Sequence, residues 1–507
     1  MNRRGCGAAL RLLALSALLA LLAAACGRPP PRASLVVAVE ADPASLDPRL
    51  GSDVASDRAH RLLHRGLFAT APDGRPEPDL CEAFRYEDER TLLLTLREGV
   101  RFSDGRPVTA SDAAATLRSI LEDRPPSFRK GDLGAVASVE VLDRRTLRIG
   151  LREPFAPLLS VLNFGILPAR EARMAHPPEV PTGCGPYRLR GRVRGQWLFF
   201  ERNPYADPAP RSPTVAFKVV PDPVVRGLEL RRGGVDLVVN DLPPDSLGYF
   251  LRRGYTVVRS PGSSFAYVGL HCAHPPLDRP EVRRALSLAL DRSAIVRHIL
   301  SGFARPAAGL LPPEHWAAAP LSPPPYGPAE AERLLDGAGL KRGRDGIRFR
   351  LSYKTSENKV SRAVAAVLAE QWAAVGVEAE VRWLEWGTFY GDVKAGRFDA
   401  FGLTWVGVTD PDGLRLRFAS TAFPPEGLNR GRYASPRVDD LLLRGAREGD
   451  WEARRALYVE AQRILAEEAP VLPLWHPDAV CVARPSVTGI VLPPDGNFSF
   501  LAHVAAR

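Results

Sequence analysis

Apolar positions along this chain alternate between two periods. Short runs rich in Val, Leu and aromatic residues occur at 34–39, 91–97, 187–190, 197–201, 215–220, 235–239, 265–270, 347–353, 377–383, 471–475 and 479–482. Runs of that length, bounded by Gly, Pro and Asn, predict strands. The span 136–151 alternates as two further short strands. Between these lie stretches with apolar residues three and four apart, the period of a helix with one buried face. They predict helices over 57–67, from Thr109 onward, and over 154–162, 223–231, 279–300, 326–339, 361–374, 388–395 and 450–468. Helix ends carry matching chemistry. Thr109 and Asp112 form a capping-box start, Pro280 opens 279–300, and Asp450 caps the last long helix. The β-α-β order at 215–239 and again at 347–408 predicts an α/β fold with mixed sheets.

The stretch 398–412 (FDAFGLTWVGVTDPD) combines several of these signals. It starts as a strand and ends in the turn chemistry of Asp410-Pro411-Asp412-Gly413. Gly402 and Gly407 leave backbone uncovered, so another backbone could approach. Trp405 adds a flat apolar surface with one N–H donor. A strand with open backbone, an aromatic plate and carboxylates at its end suits a small polar ligand. The same residues also suit a core strand running into a surface loop.

Length changes the picture next. With 507 residues the chain exceeds one hydrophobic core and predicts two or three domains. The first 25 residues stand apart. Arg3 and Arg4 precede the apolar run 12–22, and Ala23, Ala24 and Ala25 lead to Cys26. This is the pattern of a secretory leader, too short for a membrane span. Its ending resembles a bacterial lipoprotein signal, which makes Cys26 a lipidation site and 26–33 a tether. The leader's three arginines account for part of the formal charge of +10, leaving +7 for the rest. The basic residues are dispersed, without a stripe interleaved with aromatics, which argues against nucleic acid as a partner. Beyond the leader and Cys26, the cysteines are Cys81, Cys184, Cys272 and Cys481. An exported chain permits disulfides, and free buried thiols fit equally well. His60 and His64 lie four apart, and His271, Cys272 and His274 share one strand-end loop. Both groups have ligand chemistry, but the first lacks a third ligand nearby and the second sits where such residues satisfy backbone groups, so structural roles are expected. Gly-x-Ser-x-Gly, His-Glu-x-x-His, Cys-x-x-Cys and a phosphate-binding Gly-rich loop are all absent, so nothing supports an enzyme.

Motif order supplies the rest. Ser45-Leu46-Asp47-Pro48, 96–112 (LREGVRFSDGRPVTASD), 182–187 (TGCGPY), 201–204 (ERNP), 281–292 (EVRRALSLALDR), 384–386 (LEW), 405–412 (WVGVTDPD) and 432–440 (RYASPRVDD) follow one another. In this order the chain resembles the family 5 extracellular solute-binding proteins of bacterial ABC importers, which bind oligopeptides, dipeptides or nickel. The resemblance implies a two-lobed periplasmic-binding-protein fold of the large, three-domain type with a ligand cleft between lobes. It implies a first lobe at 34–59, 182–268 and 477–507, an extra domain at 60–181 and a second lobe at 269–476, with hinges near Val268 and His476. It also implies a monomeric, non-enzymatic binding protein without a cofactor, lipid-anchored outside the cytoplasm and working with permease and ATPase subunits. In peptide-binding members the ligand backbone adds to cleft strands, and the matching positions are Thr404, Trp405, Val406 and Gly407, with Ser52 to Val54 on the first lobe. Trp386, Trp405, Trp475 and His476 match cleft aromatics. The Asp that pairs with a peptide ammonium falls at Val408, so Asp410 is the nearest carboxylate to replace it. Cys184 takes the place of a Thr and is expected to pack. Nickel complexes, sugars and other polar solutes stay open as ligands.

Overall fold

The structure is a computed structural model that describes residues 33–425 and 427–506. The leader, the tether to residue 32 and Cys26 lie outside the described residues. Three sheets organise the chain. A seven-stranded sheet runs in the order Thr256–Ser260, Ala479–Ala483, Leu237–Val239, Leu35–Val39, Thr214–Val219, Trp197–Arg202 and Tyr187–Val193. Its central strand, LVVAV, pairs in parallel on both sides and is buried along its whole length. That position explains why it reads as a continuous apolar run rather than an alternation.

A six-stranded sheet runs Ala304–Pro306, Val471–Pro477, Phe265–Leu270, Ala400–Trp405, Phe349–Ser356 and Val377–Leu384. The helix Lys359–Ala374 packs on it, with Trp372 fully buried against Tyr353. The third sheet is antiparallel and has four strands, Cys81–Asp88, Thr91–Leu96, Thr146–Leu151 and Val136–Val141, covered by the helix Ala110–Leu121. Asp112 accepts both the Thr109 N–H (2.9 Å) and its hydroxyl (2.7 Å), and also the Ala169 N–H (2.7 Å). One carboxylate thus starts the helix and ties the following segment to it.

The chain passes between the two large sheets twice. Residues 261–264 link Thr256–Ser260 to Phe265–Leu270, and Asp478 links Val471–Pro477 to Ala479–Ala483. The first crossing thus precedes Val268 by a few residues, and the second follows His476 by two.

The expected helix 279–300 is two helices, Pro280–Leu288 and Arg292–His298. The apolar period continues across the break, but Asp291 is cap chemistry and accepts the Ala294 N–H at 2.9 Å. Arg292 then turns inward, bonding to the carbonyls of Pro473, Ser287 and Leu290. The expected helix 154–162 shrinks to one turn, Leu158–Val161, and the strand expected over 398–408 to Ala400–Trp405. Among the described residues Cys81, Cys184, Cys272 and Cys481 are free thiols.

His60 and His64 are buried and face backbone carbonyls, Ser45 at 3.0 Å and Leu46 at 3.2 Å. Burial pushes their imidazoles down, His60 to about 3 and His64 to about 4, so both are neutral in the fold. The unfolded chain takes up protons below about pH 6.5 that the fold refuses until near pH 4. Stability is therefore complete above about pH 6.5 and falls as pH drops through that window, by about 2 kcal/mol per histidine at pH 5. Urea midpoints measured at pH 7 and pH 5 should show this loss, and the His60→Asn, His64→Asn double variant should lose markedly less.

Candidate functional site

The parallel strands of the two large sheets point their carboxyl ends at each other, the position where α/β sheets hold ligands. A cavity of about 490 Å³ lies there, within the range of small-molecule sites. The first lobe contributes Val238 and Asn240 from one strand end and Leu247 from the helix Pro244–Arg252. From the second lobe come Thr355, Ser356, Asn358, Trp386, Thr404, Val406 and Trp475. Three helices begin at this space, Pro244–Arg252, Lys359–Ala374 and Trp386–Lys394. Helix starts turn partial positive charge towards what they face; Asn358 and Glu385 cap the second and third of these through the Ser361 and Thr388 N–H groups, and Pro244–Arg252 has no side-chain cap.

One strand edge opens into the cavity. Phe349–Ser356 pairs with Ala400–Trp405 only at Tyr353–Ala400 and Lys354–Phe401. The backbone of 402–405 has no strand neighbour on that side, while Phe265–Leu270 pairs with it on the other. The space beside Gly402 is filled by the Tyr353 hydroxyl, which a Cβ there would meet at 2.3 Å. Gly407 is open, and its φ of +62° turns the chain away.

Strand alternation sorts the side chains. Thr404 and Val406 are exposed and line the cavity; Trp405 does not. The Trp405 indole is buried with Tyr267, at 4.1 Å between ring centroids, and Phe265, at 5.8 Å. The aromatic plate in the cavity is Trp386, 54 % exposed and stacked on Tyr390 at 5.6 Å. Trp475 lines the cavity from a buried position. His476 is buried beside the second crossing, and its Nδ1 lies 2.9 Å from the Ser264 carbonyl of the first. Burial pushes it down to about 4, so it is neutral. Ser52 and Val54 are exposed and do not line the cavity. Val54 opens the helix Val54–Leu63, capped by Asp53 through the Ser56 N–H.

The carboxylates after the strand are engaged within the fold. Asp410 accepts from Ser160 Oγ at 2.7 Å, Arg454 Nη2 at 2.9 Å and the Asp412 N–H at 2.8 Å. Asp412 is held by Arg415 at 2.8 and 2.7 Å and by the Tyr458 hydroxyl at 3.3 Å. The remaining carboxylate at the cavity is Asp478, at the second crossing. Burial raises its pKa, and Arg259 and Arg305 oppose that rise. No Lys, Arg or His is among the described residues that line the cavity. Asn240, Thr355, Ser356, Asn358 and Asp478 carried no motif signal. What they share is position, just beyond strand ends or at the crossing.

The lobes touch across this space. Lys359 Nζ reaches Asp245 at 2.9 Å, both exposed. The four-stranded domain reaches the second lobe through Ser160–Asp410, Ala156 N to Ala446 O at 2.8 Å, and Trp316 N to Asp73 O at 3.0 Å. Gly74 makes the last approach possible. Its φ is +87°, and a Cβ would lie 2.5 Å from the His315 ring. A second cavity of about 690 Å³ lies between the first lobe and the four-stranded domain. Its charges include the pairs Arg61–Asp57 at 3.3 Å and Arg65–Asp79 at 2.5 Å.

Two α/β lobes joined by two crossings, an extra domain and an interlobe cavity define a periplasmic-type solute-binding protein. The model for bacterial extracellular solute-binding proteins, family 5, matches residues 75–423, and the chain belongs to that family. Such proteins are the substrate-binding components of ABC importers, not enzymes. The chain is 29 % identical to a probable di/tripeptide-binding protein 5 of Pseudomonas aeruginosa, over 98 % of this chain and 100 % of that one. It is 33 % identical to protein XP55 of Streptomyces lividans, over 92 % and 87 % of the two chains. The crystal structure of NikA from Brucella suis in complex with Fe(III)-EDTA superposes with a TM-score of 0.85 at 25 % identity, covering 93 % of this chain and 99 % of that one. Among the described residues no helix is long and apolar enough to cross a membrane.

Replacing Asp410 should remove one tie of the extra domain and weaken the fold. Asp410→Ala leaves the buried Arg454 guanidinium without its carboxylate, a change that costs about 3 kcal/mol. Urea unfolding should show that loss. A change within experimental error would mean that the Ser160–Asp410–Arg454 contact contributes nothing.

Proposed function

We propose that this protein captures a peptide-like or other small polar solute between its lobes and delivers it to a membrane permease. The observation that carries this reading is the unpaired edge at 402–405 beside the 490 Å³ cavity. An extended amide backbone can pair with such an edge, and neighbouring pockets then select side chains. Val406, Trp386 and Trp475 are the contacts we assign to the solute, with Gly407 releasing the chain at the rim. Trp405 and His476 act from behind, as packing for the strand and as a tie between the crossings. The lobes are assigned to 34–59, 182–268 and 477–507 and to 269–476, with 60–181 as the extra domain, adjusted at the crossings to 261–264 and Asp478. Lipid attachment at Cys26 holds the monomer outside the cytoplasm, two or three acyl chains making the anchor stable.

The solute's charge follows from the site. Asp410 and Asp412 are engaged in the fold and Val408 is apolar and buried. A solute ammonium would meet no free carboxylate beside this strand, and burying it unpaired would be costly. Of the three helix starts, Lys359–Ala374 is capped by Asn358 and Trp386–Lys394 by the Glu385 carboxylate, and the uncapped start of Pro244–Arg252 favours carbonyl or carboxylate oxygens. Calorimetry against di- to pentapeptides and their N-acetylated forms tests this. Free and acetylated peptides should bind within about threefold of each other, well under 1.4 kcal/mol. A hundredfold loss on acetylation would mean that an ammonium is recognised. Binding of none of the peptides would overturn the peptide reading and leave sugars and metal chelates to be tested.

A further inference from the structure

A small space lies beside Trp405, apart from the solute cavity. Its volume is about 20 Å³, close to a single water-sized sphere. Tyr267, Trp405, Arg417 and Arg430 are among the residues around it. Each carries a buried polar atom that meets no partner in good hydrogen-bond geometry: Tyr267 OH, Trp405 Nε1, Arg417 Nε and Arg430 Nη1, with the Tyr267 hydroxyl lying against Arg430. Four such atoms on residues around one space are more than native folds usually leave together.

The chemistry of these atoms is one-sided. Arg Nε–H, Arg Nη–H and Trp Nε1–H only donate, and the Tyr hydroxyl can donate as well. Water accepts two of these hydrogen bonds and carries no charge, so it leaves the arginine pair unmatched. An anion accepts from all of them. Charge points the same way. Arg417 bonds the Gly413 carbonyl at 2.9 Å and Arg430 the Tyr390 hydroxyl at 2.9 Å. Among the described residues neither forms an ion pair with a carboxylate, and Asp412 is held by Arg415. Burial together with the neighbouring Arg430 lowers Arg417 to about 10, which still leaves it charged. Two close buried guanidinium ions repel one another unless negative charge lies between them.

We propose that Arg417, Arg430, Tyr267 and Trp405 form a binding site for one small anion, a halide or a single carboxylate group. Its occupant neutralises the arginine pair and braces the cavity wall from behind. Tyr267 borders both spaces, and Arg430 holds Tyr390, on which Trp386 stacks. The anion is either a free ion or the acid group of the solute, and the site stands whether or not the solute is a peptide.

Bromide is the probe. Crystals of the protein soaked in sodium bromide should give an anomalous peak within hydrogen-bonding distance of Arg417 and Arg430. In solution, bromide should raise the melting temperature by a degree or more, by mass action on the folded state, and Arg430→Met should abolish that rise. Saturating trialanine separates the two sources. A peak that persists marks a free-ion site, and a peak replaced by the peptide's carboxylate marks an acid subsite. No bromide peak, an equal response in wild type and Arg430→Met, or a side-chain carboxylate of the chain lying between the guanidinium groups would each overturn the proposal. The crystal measurement needs no variant, so it stands even if Arg430→Met fails to fold.

Discussion

The pairing of the two chain crossings is the constraint on which the rest of the molecule depends. Thr256–Ser260 and Ala479–Ala483 are neighbours in one sheet, and Phe265–Leu270 and Val471–Pro477 are neighbours in the other. Each crossing therefore leaves one hydrogen-bonded pair and enters the next, and the two are held side by side. Asn240 fastens the first lobe to them by exchanging two bonds with Val480, both 2.7 Å. His476 fastens them to each other through Ser264. With the crossings fixed, the carboxyl ends of both sets of parallel strands face one space. Lobe motion about so short a link can open or close that space but cannot change which residues face it. A solute shifts such an equilibrium only by its differential affinity for the open and closed forms.

The second theme is where charge goes. The cavity wall carries amide, hydroxyl and aromatic groups, and among the described residues its one acidic side chain, Asp478, faces Arg259 and Arg305. The carboxylates after Trp405 hold the extra domain and the last long helix in place. Their removal from the binding surface and the apolar Val408 belong together, because an unpaired buried carboxylate or ammonium would each be costly. Recognition is left to an unpaired backbone edge, the exposed Trp386 and the uncapped start of Pro244–Arg252. These are features suited to amide-rich solutes.

Much of this was legible in the sequence. Period and cap chemistry located most strands and helices, and motif order named the two-lobed fold. The failures have identifiable causes. Cys81–Asp88 is exposed along most of its length, so its faces carry no apolar alternation. Asp291 interrupts an apolar period that continues past it. Trp405 has the composition of a ligand platform, yet alternation with the exposed Thr404 and Val406 places it in the core, a signal present in the sequence. The engagement of Asp410 was not readable, because Ser160 lies 250 positions away and Arg454 another 44 on the other side. The same holds for Tyr267, Trp405, Arg417 and Arg430, which come from four separate elements or loops.

The central claim is that the solute lies along the open edge at 402–405. A crystal structure of the protein with trialanine bound tests it most directly. The account predicts ligand density between the strand end at Thr404 and Val406, Trp386 and Asn240, with ligand amides paired to the 402–405 backbone and Asp410 still bonded to Arg454 and Ser160. Density in the cavity beside His60 and Arg61, or an ammonium on Asp410 with its contacts to Arg454 and Ser160 broken, would contradict it.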